Sequence, residues 1–328
     1  MSFKPIIIIA GEPNSIFSEI FLKSLRLKKY LSPIILISSH KLLILQMQKL
    51  KFKKKIKLLD LNKLDTNKLD NNSINLINIE YNAKKAFEKI TEKSNSYIKN
   101  SFDVAFQLIK NGVSNKLING PISKKYFLDK KFLGITEYIA SNFSIKKNAM
   151  LIYNQNLSVC PLTTHLPLKL VTKNINKSDL KNKIYLIDNF YRTFLKIKPK
   201  IAVLGLNPHC ESIDKFNEDE KILKPVIKDL NKKKFKVFGP YSADTIFLKD
   251  NRKKYNVILG MYHDQVLTPI KTLFEYDAIN ITLGLPFIRI SPDHGPNEKM
   301  LGKNLSNPLS LIKAIEFMDK NWLKQKKV

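Results

Sequence analysis

Two cysteines, Cys160 and Cys210, are all that the 328 residues contain. That is too few for a disulfide scaffold. Both follow apolar runs, so buried free thiols and a reducing cytoplasm are expected. No apolar run approaches the roughly 18 residues of a membrane span. No charged-then-apolar leader opens the chain, so neither membrane insertion nor export is expected. Glycine is sparse at ten residues, and no Gly-x-Gly-x-x-Gly occurs, which argues against an ordinary Rossmann dinucleotide site. Arginine is the scarcest charged residue. Of 57 basic residues only Arg26, Arg192, Arg252 and Arg289 are arginines, which leaves 53 lysines. With 28 acidic residues the formal charge is +29. Such a charge suggests nucleic acid, but lysine is spread along the whole chain with no patch of arginines and aromatics. It reads as solvated surface, and no specific nucleic-acid partner is expected.

What is present is an alternation of apolar runs and helical patterns. Lys4–Ala10 holds four consecutive isoleucines and reads as a central parallel strand. Gly11–Ser15 turns the chain, and Ile16–Leu27 has helical spacing. Ile34–Ile37, Ile56–Leu61 and Ile74–Ile79 read as strands, His40–Leu50 and Tyr81–Asn111 as helices. Lys116–Ile118 is a strand entering Asn119-Gly120-Pro121, with Ser123 as the cap of a following helix. Gly134–Tyr138 opens a short helix. Ala149–Tyr153 and Leu157–Thr164 resemble a hairpin. Asp179–Leu195, Asp219–Lys234 and Pro308–Leu323 read as helices, with strands at Ile201–Leu206, Phe235–Phe238 and Val257–Leu259. A further apolar run covers Ala278–Leu285. The alternation implies an α/β protein with a parallel sheet. No internal repeat is evident.

Three histidines, His165, His209 and His263, each follow a strand run directly. Parallel strands put their carboxyl ends on one edge, where ligands bind in open α/β sheets. Neutral imidazoles suit zinc and similar divalent ions, and three protein ligands leave a position open for substrate. Any one of the three alone reads more readily as a polar loop residue; the repetition points to a site. In a chain that otherwise writes lysine, Arg289 suggests a need for a planar bidentate donor to phosphate or carboxylate, or an ordinary ion pair. Lys271 is an anion contact or one more lysine. Asp244 could serve chemistry or cap a helix. Asp264 adjoins His263 and could orient it or carry a proton.

The motifs Thr163-Thr164-His165-Leu166-Pro167, Gly205-Leu206-Asn207-Pro208-His209, Ala243-Asp244-Thr245, Gly260-Met261-Tyr262-His263-Asp264-Gln265, Asn280–Arg289 and Asp293-His294-Gly295 together resemble the 4-hydroxythreonine-4-phosphate dehydrogenases of the vitamin B6 pathway. The resemblance runs from Ile6 to about Asn297. It implies two α/β/α domains with a cleft between them, as in isopropylmalate dehydrogenase. The first, on the dinucleotide side, would be residues 1–122 plus 286–328, and the second, on the metal and dimer side, residues 123–285. It implies a homodimer with a shared active site, NAD or NADP as cofactor, and one divalent ion (Zn, Mg or Co) on His165, His209 and His263. Thr136, Lys271, Asn280 and Arg289 match the family's substrate contacts. Asp293, His294 and Gly295 match the dinucleotide-binding loop of the wider fold group. The implied reaction oxidises and decarboxylates 4-phosphohydroxy-L-threonine to 3-amino-2-oxopropyl phosphate.

Two departures stand out. The family's histidine before the threonine of Gly-x-Thr-Glu is here Ile135. Its glycine-rich first loop is here Gly11-Glu12-Pro13-Asn14-Ser15-Ile16-Phe17-Ser18-Glu19, with two glycines gone. A lost imidazole donor would weaken phosphate binding by about 1–3 kcal/mol. Ile135 therefore keeps open a related phosphorylated hydroxy acid as substrate. A catalytically silent basic binding protein on the same fold is the alternative from another class.

Overall fold

The computed structural model describes residues 3–128, 132, 134–213, 216–292 and 295–320. The chain forms two compact units. Met1–Ile139 with Pro286–Asn321 makes the first, and Ala140–Leu285 lies in the second.

In the first unit the strands are β1 (Ile6–Ile9), β2 (Ile34–Ser38), β3 (Ile56–Leu58), β4 (Ile74–Asn78), β5 (Lys116–Asn119) and, from the other end of the chain, β12 (Ile288–Pro292). Their order is β3-β4-β2-β1-β5-β12, and every pair is parallel. The four isoleucines of β1 sit at its centre and are 0% exposed. A strand covered on both faces needs such a continuous apolar run. Helices Phe17–Leu27, His40–Lys49, Ser94–Lys110 and Leu309–Asp319 belong to this unit. The last buries Leu311, Ala314 and Ile315. Its Asp319 carboxylate accepts the backbone N–H groups of Leu31 (2.8 Å) and Ser32 (2.6 Å).

The chain leaves β1 toward β2 on one side and reaches β5 on the other, so the sheet has a topological switch there. The two loops at that switch pack backbone on backbone. A Cβ added to Gly11 would lie 2.4 Å from the Pro121 carbonyl oxygen, and one added to Gly120 would lie 2.2 Å from that of Ala10. Glu12 N–H closes the contact by donating to Pro121 O at 2.8 Å.

The second unit holds β6 (Ala149–Tyr153), β7 (Ser158–Pro161), β8 (Lys200–Leu204), β9 (Lys236–Tyr241), β10 (Val257–Gly260) and β11 (Ile279–Leu283), in the order β11-β6-β7-β10-β8-β9. β7, β10, β8 and β9 pair in parallel, while β6 is antiparallel to both β7 and β11. The sheet is thus mixed rather than wholly parallel. Only a few residues join β6 to β7, too few for a crossover, so they must form a hairpin.

Several expectations need correction. The long helix expected from Tyr81 begins only at Ser94. Residues ahead of it give their backbone groups to side chains instead: Glu88 N–H donates to Asn14 Oδ1 at 3.0 Å, and Ala86 O accepts from Gln46 Nε2 at 3.1 Å. Ser123 stands at the N-cap of Lys124–Phe127 but makes no capping hydrogen bond. The strand expected to stop at Phe238 continues to Tyr241. β12 lay unread in a stretch broken by prolines. Cys160 is buried as expected, and burial pushes its thiol up to about 11. Cys210 is only half-buried. Among the described residues no helix is long and apolar enough to cross a membrane.

Candidate active site

Each unit carries its own share of the residues singled out in the sequence. In the first, Arg289 lies on β12 opposite Leu117 of β5 and is 2% exposed. Its Nε–H donates to Asn119 Oδ1 at 2.7 Å, and its Nη1 to Thr136 Oγ1 at 3.3 Å. Burial holds the guanidinium down to about 10, and the charge of Glu137 opposes that shift. It therefore stays charged at neutral pH, in a setting where water screens it weakly. Thr136 and Glu137 stand on the helix Ile135–Asn142. Tyr138 of that helix packs edge-on to Phe102 (5.3 Å) and Phe127 (5.2 Å), which fixes the helix start. Asn119, which no sequence motif singles out, orients that guanidinium. Its position at the carboxyl end of β5 was the available signal.

The altered first loop lies in the same unit. Asn14 and Ser15 stand in the loop that lacks the two family glycines, and both are 1% exposed. Asn14 Nδ2 donates to the Tyr81 hydroxyl at 3.0 Å, and Ser15 Oγ accepts from Phe17 N at 3.2 Å. Side chains thus fix the loop in place of a freely approaching backbone. Glu12 is buried beside them, and Ser94 donates its hydroxyl to Glu12 Oε1 at 2.7 Å. Of the proposed dinucleotide loop, Asp293 and His294 lie outside the described residues. Gly295 is exposed beyond β12.

In the second unit the three histidine loops leave adjacent parallel strands. His165 follows β7, His263 follows β10 and His209 follows β8, and β10 lies between the other two. All three loops therefore rise from one sheet edge. The His165 and His263 rings are 6.0 Å apart between centroids. Two imidazoles sharing one tetrahedral ion would have centroids about 5 Å apart, so this pair is close to that spacing. His209 takes a left-handed turn (φ 53°) just past β8 and is exposed. Among the described residues, no group of three or more His, Cys, Asp or Glu side chains stands in ion-holding geometry. The donor set itself fits a borderline divalent ion, since three neutral nitrogens on one edge are what such an ion takes.

Asp264 Oδ1 lies 2.6 Å from His263 Nδ1, while its side chain is 80% exposed. That pairing leaves Nε2 as the outward nitrogen. Asp244 is exposed at the start of the short helix Ala243–Ile246 and accepts from Ser242 Oγ at 2.5 Å. The Ser242 hydrogen bond holds its carboxyl below the usual range, helped by the backbone N–H groups of Asp244 and Thr245. Lys271 is half-buried on the helix His263–Phe274, and desolvation lowers its pKa. Asn280 lies on β11, where its Oδ1 is buried and accepts no hydrogen bond from the described residues. A buried acceptor with no partner is uncommon and suits a ligand donor.

The family model for the pyridoxal phosphate biosynthetic protein PdxA matches residues 29–318 of this sequence. The chain belongs to the PdxA family. A 4-hydroxythreonine-4-phosphate dehydrogenase of Sulfurihydrogenibium sp. (strain YO3AOP1) is 35% identical over 320 residues, 94% of this chain and 95% of that one. The solved structure of the 4-hydroxythreonine-4-phosphate dehydrogenase from Klebsiella pneumoniae superposes with a TM-score of 0.81 at 27% identity, covering 96% of this chain and 97% of that one. Isocitrate dehydrogenase from Methylococcus capsulatus shares the fold alone, with a TM-score of 0.51 at 10% identity over 97% of this chain and 85% of that one. The expected family, fold class and dehydrogenase class are met. The PdxA match begins beyond the Gly11–Glu19 loop, where the family pattern loses its glycines.

Proposed function

We propose that this PdxA-family protein oxidises and decarboxylates 4-phosphohydroxy-L-threonine with NAD or NADP, yielding 3-amino-2-oxopropyl phosphate. The observation that carries this reading is the adjacency of β7, β10 and β8, which brings His165, His263 and His209 to one edge in a chain of this family.

His165, His209 and His263 would hold one divalent ion (Zn, Mg or Co). Bound there, such an ion would supply Lewis-acid polarisation of a substrate oxygen. Nicotinamide supplies the hydride acceptor. The remaining work falls to the chain's own side chains. Asp264 fixes the tautomer and direction of the His263 ring. Arg289, buried and charged, offers a planar fork to a phosphate or carboxylate. Thr136 and Asn119 hold that fork in one orientation. Lys271, poorly hydrated, adds a second positive charge for an anionic substrate. Asn280 offers its unpartnered carbonyl oxygen to a substrate donor. Asp244 is the nearby carboxylate that could exchange a proton. Asp293, His294 and Gly295 are the proposed cofactor contacts. The reading carries with it a homodimer whose active site uses both subunits, in the cytoplasm.

Ile135 favours a second reading on the same chemistry. An aliphatic side chain where the family pattern has an imidazole donor suits a related phosphorylated hydroxy acid bound with one polar contact fewer.

The test is nicotinamide reduction by the purified protein with 4-phosphohydroxy-L-threonine, with and without a chelator. Turnover that chelation abolishes and a divalent ion restores is expected. Absence of turnover with metal demonstrably bound overturns the first substrate and moves the assay to related phosphorylated hydroxy acids.

A further inference from the structure

The stretch that follows β12 is held down by the front of the chain. A Cβ added to Gly295 would meet no atom of the described residues within 4 Å, so space for a ligand lies beside its backbone. From Pro296 to Ser306 the loop is held at both ends and in the middle. Ile16 N–H donates to Pro296 O at 3.2 Å. Gly302, at φ +66°, lies against the Phe87 ring, which a Cβ there would approach to 3.1 Å. The far end is held by an ion pair. Lys23 Nζ donates to Asn304 O at 2.9 Å and to Ser306 O at 2.8 Å, and Glu19 Oε1 accepts the Ser306 N–H at 2.6 Å.

The two side chains also bind each other, Lys23 Nζ donating to Glu19 Oε1 at 2.9 Å, one turn apart on the helix Phe17–Leu27. All three ammonium hydrogens are thereby used. The Glu19 side chain is 1% exposed and that of Lys23 23%, which limits screening by water. Every partner of the pair in the loop is a backbone group. The clamp therefore fixes the path of the loop whatever side chains the loop carries. Asn304 takes the left-handed region (φ 59°), which asparagine adopts more readily than most residues.

We propose that Glu19 and Lys23 are positioning residues for the nicotinamide cofactor, acting through the loop after β12 rather than by contact. The inference rests on the proposed cofactor role of Asp293, His294 and Gly295 and adds the device that holds their loop. It also ties the altered first loop to cofactor binding, since Ile16 and Glu19 touch Pro296 and Ser306. Breaking the clamp lowers the fraction of molecules whose loop follows the binding path, and the apparent affinity falls with that fraction.

The test is titration of the full-length protein with NADH and with NADPH, followed by the fluorescence of the reduced nicotinamide. It compares wild type, Lys23→Met, and a double variant carrying Glu19→Gln and Lys23→Met. Thermal unfolding of each establishes folding. Lys23→Met alone leaves a buried carboxylate without its cation. The double variant removes both charges and carries the test if the single one does not fold. The expected result is a dissociation constant for the preferred cofactor raised about tenfold, as for a competent loop populated about one-tenth of the time. The dissociation constant for the phosphorylated substrate, measured by calorimetry on the same proteins, keeps its wild-type value. Wild-type cofactor affinity in a folded variant overturns the inference while the cofactor reading stands. Cofactor and substrate constants that rise together assign the pair to general fold stability and overturn it too. A wild type that binds neither NADH nor NADPH, or whose affinity survives Asp293→Ala and His294→Ala, overturns the cofactor reading and this inference with it.

Discussion

Arg289 donates its Nε–H to Asn119 Oδ1 at 2.7 Å across the pairing of β12 with β5. One strand supplies the cation and its neighbour aims it. Asn119→Ala removes the acceptor and leaves a buried N–H unmet, which costs about 1–3 kcal/mol. The expected outcome is a lower unfolding midpoint and a KM for the phosphorylated substrate raised about tenfold, checked by thermal melts and steady-state kinetics. Arg289→Lys retains charge but not the fork, and should raise KM further. Equal KM values in all three proteins would remove Arg289 from the binding role.

Asp264 faces His263 Nδ1 at 2.6 Å from an otherwise exposed position. Outer partners of ligand histidines are worth roughly 10–100-fold in metal affinity. Asp264→Asn should weaken divalent-ion binding toward the lower end of that range, since water reaches the pair. Competition against a chromophoric chelator measures it. An unchanged affinity would assign Asp264 to the surface.

Ile135 begins the helix whose next residue, Thr136, accepts from Arg289. Ile135→His restores an imidazole donor at that helix start. If 4-phosphohydroxy-L-threonine is the substrate, its KM should fall by about 10–100-fold, the equivalent of one hydrogen bond to a charged group. A KM that rises instead would favour the related hydroxy acid.

Glu12 is buried, and desolvation raises its pKa above the ordinary 4.5 despite the Ser94 hydrogen bond. A carboxyl raised on folding supports the fold fully below its unfolded pKa. That support is lost as pH climbs through the folded value. Glu12→Gln should therefore melt higher than wild type at pH 8, by about 2–4 °C, what roughly 1 kcal/mol amounts to in a domain of this size. The gain should vanish below pH 4.5. Melting curves across pH 4–8 give the comparison, and a gain that persists in acid would point to packing instead.

Much of this was legible from residue order. A covered strand needs an unbroken apolar run, so Ile6–Ile9 and Val257–Leu259 announce themselves, and a histidine just past such a run lands at a ligand edge. What could not be read was which side chains hold the loops. Asn119 and Lys23 are ordinary polar residues in sequence. Their roles come from β12 lying beside β5 and from the loop after β12 folding back on the helix Phe17–Leu27. The helix missing before Ser94 has the same origin. Periodicity there was right for a helix, but Asn14 and Gln46, distant in sequence, offered the backbone other partners.

The first unit is written in two stretches that flank Ala140–Leu285. Until the ribosome has made Ile288–Ile290, β5 keeps an open edge at Leu117 and Ile118. Until Asp319 is made, Leu31 and Ser32 have no carboxylate to bind. The stretch Ala140–Leu285 of the second unit is made before either arrives. During synthesis the earliest sequence is therefore among the last to be finished. A stop ahead of Ile288 would leave β5 and the Leu31-Ser32 turn without their later partners.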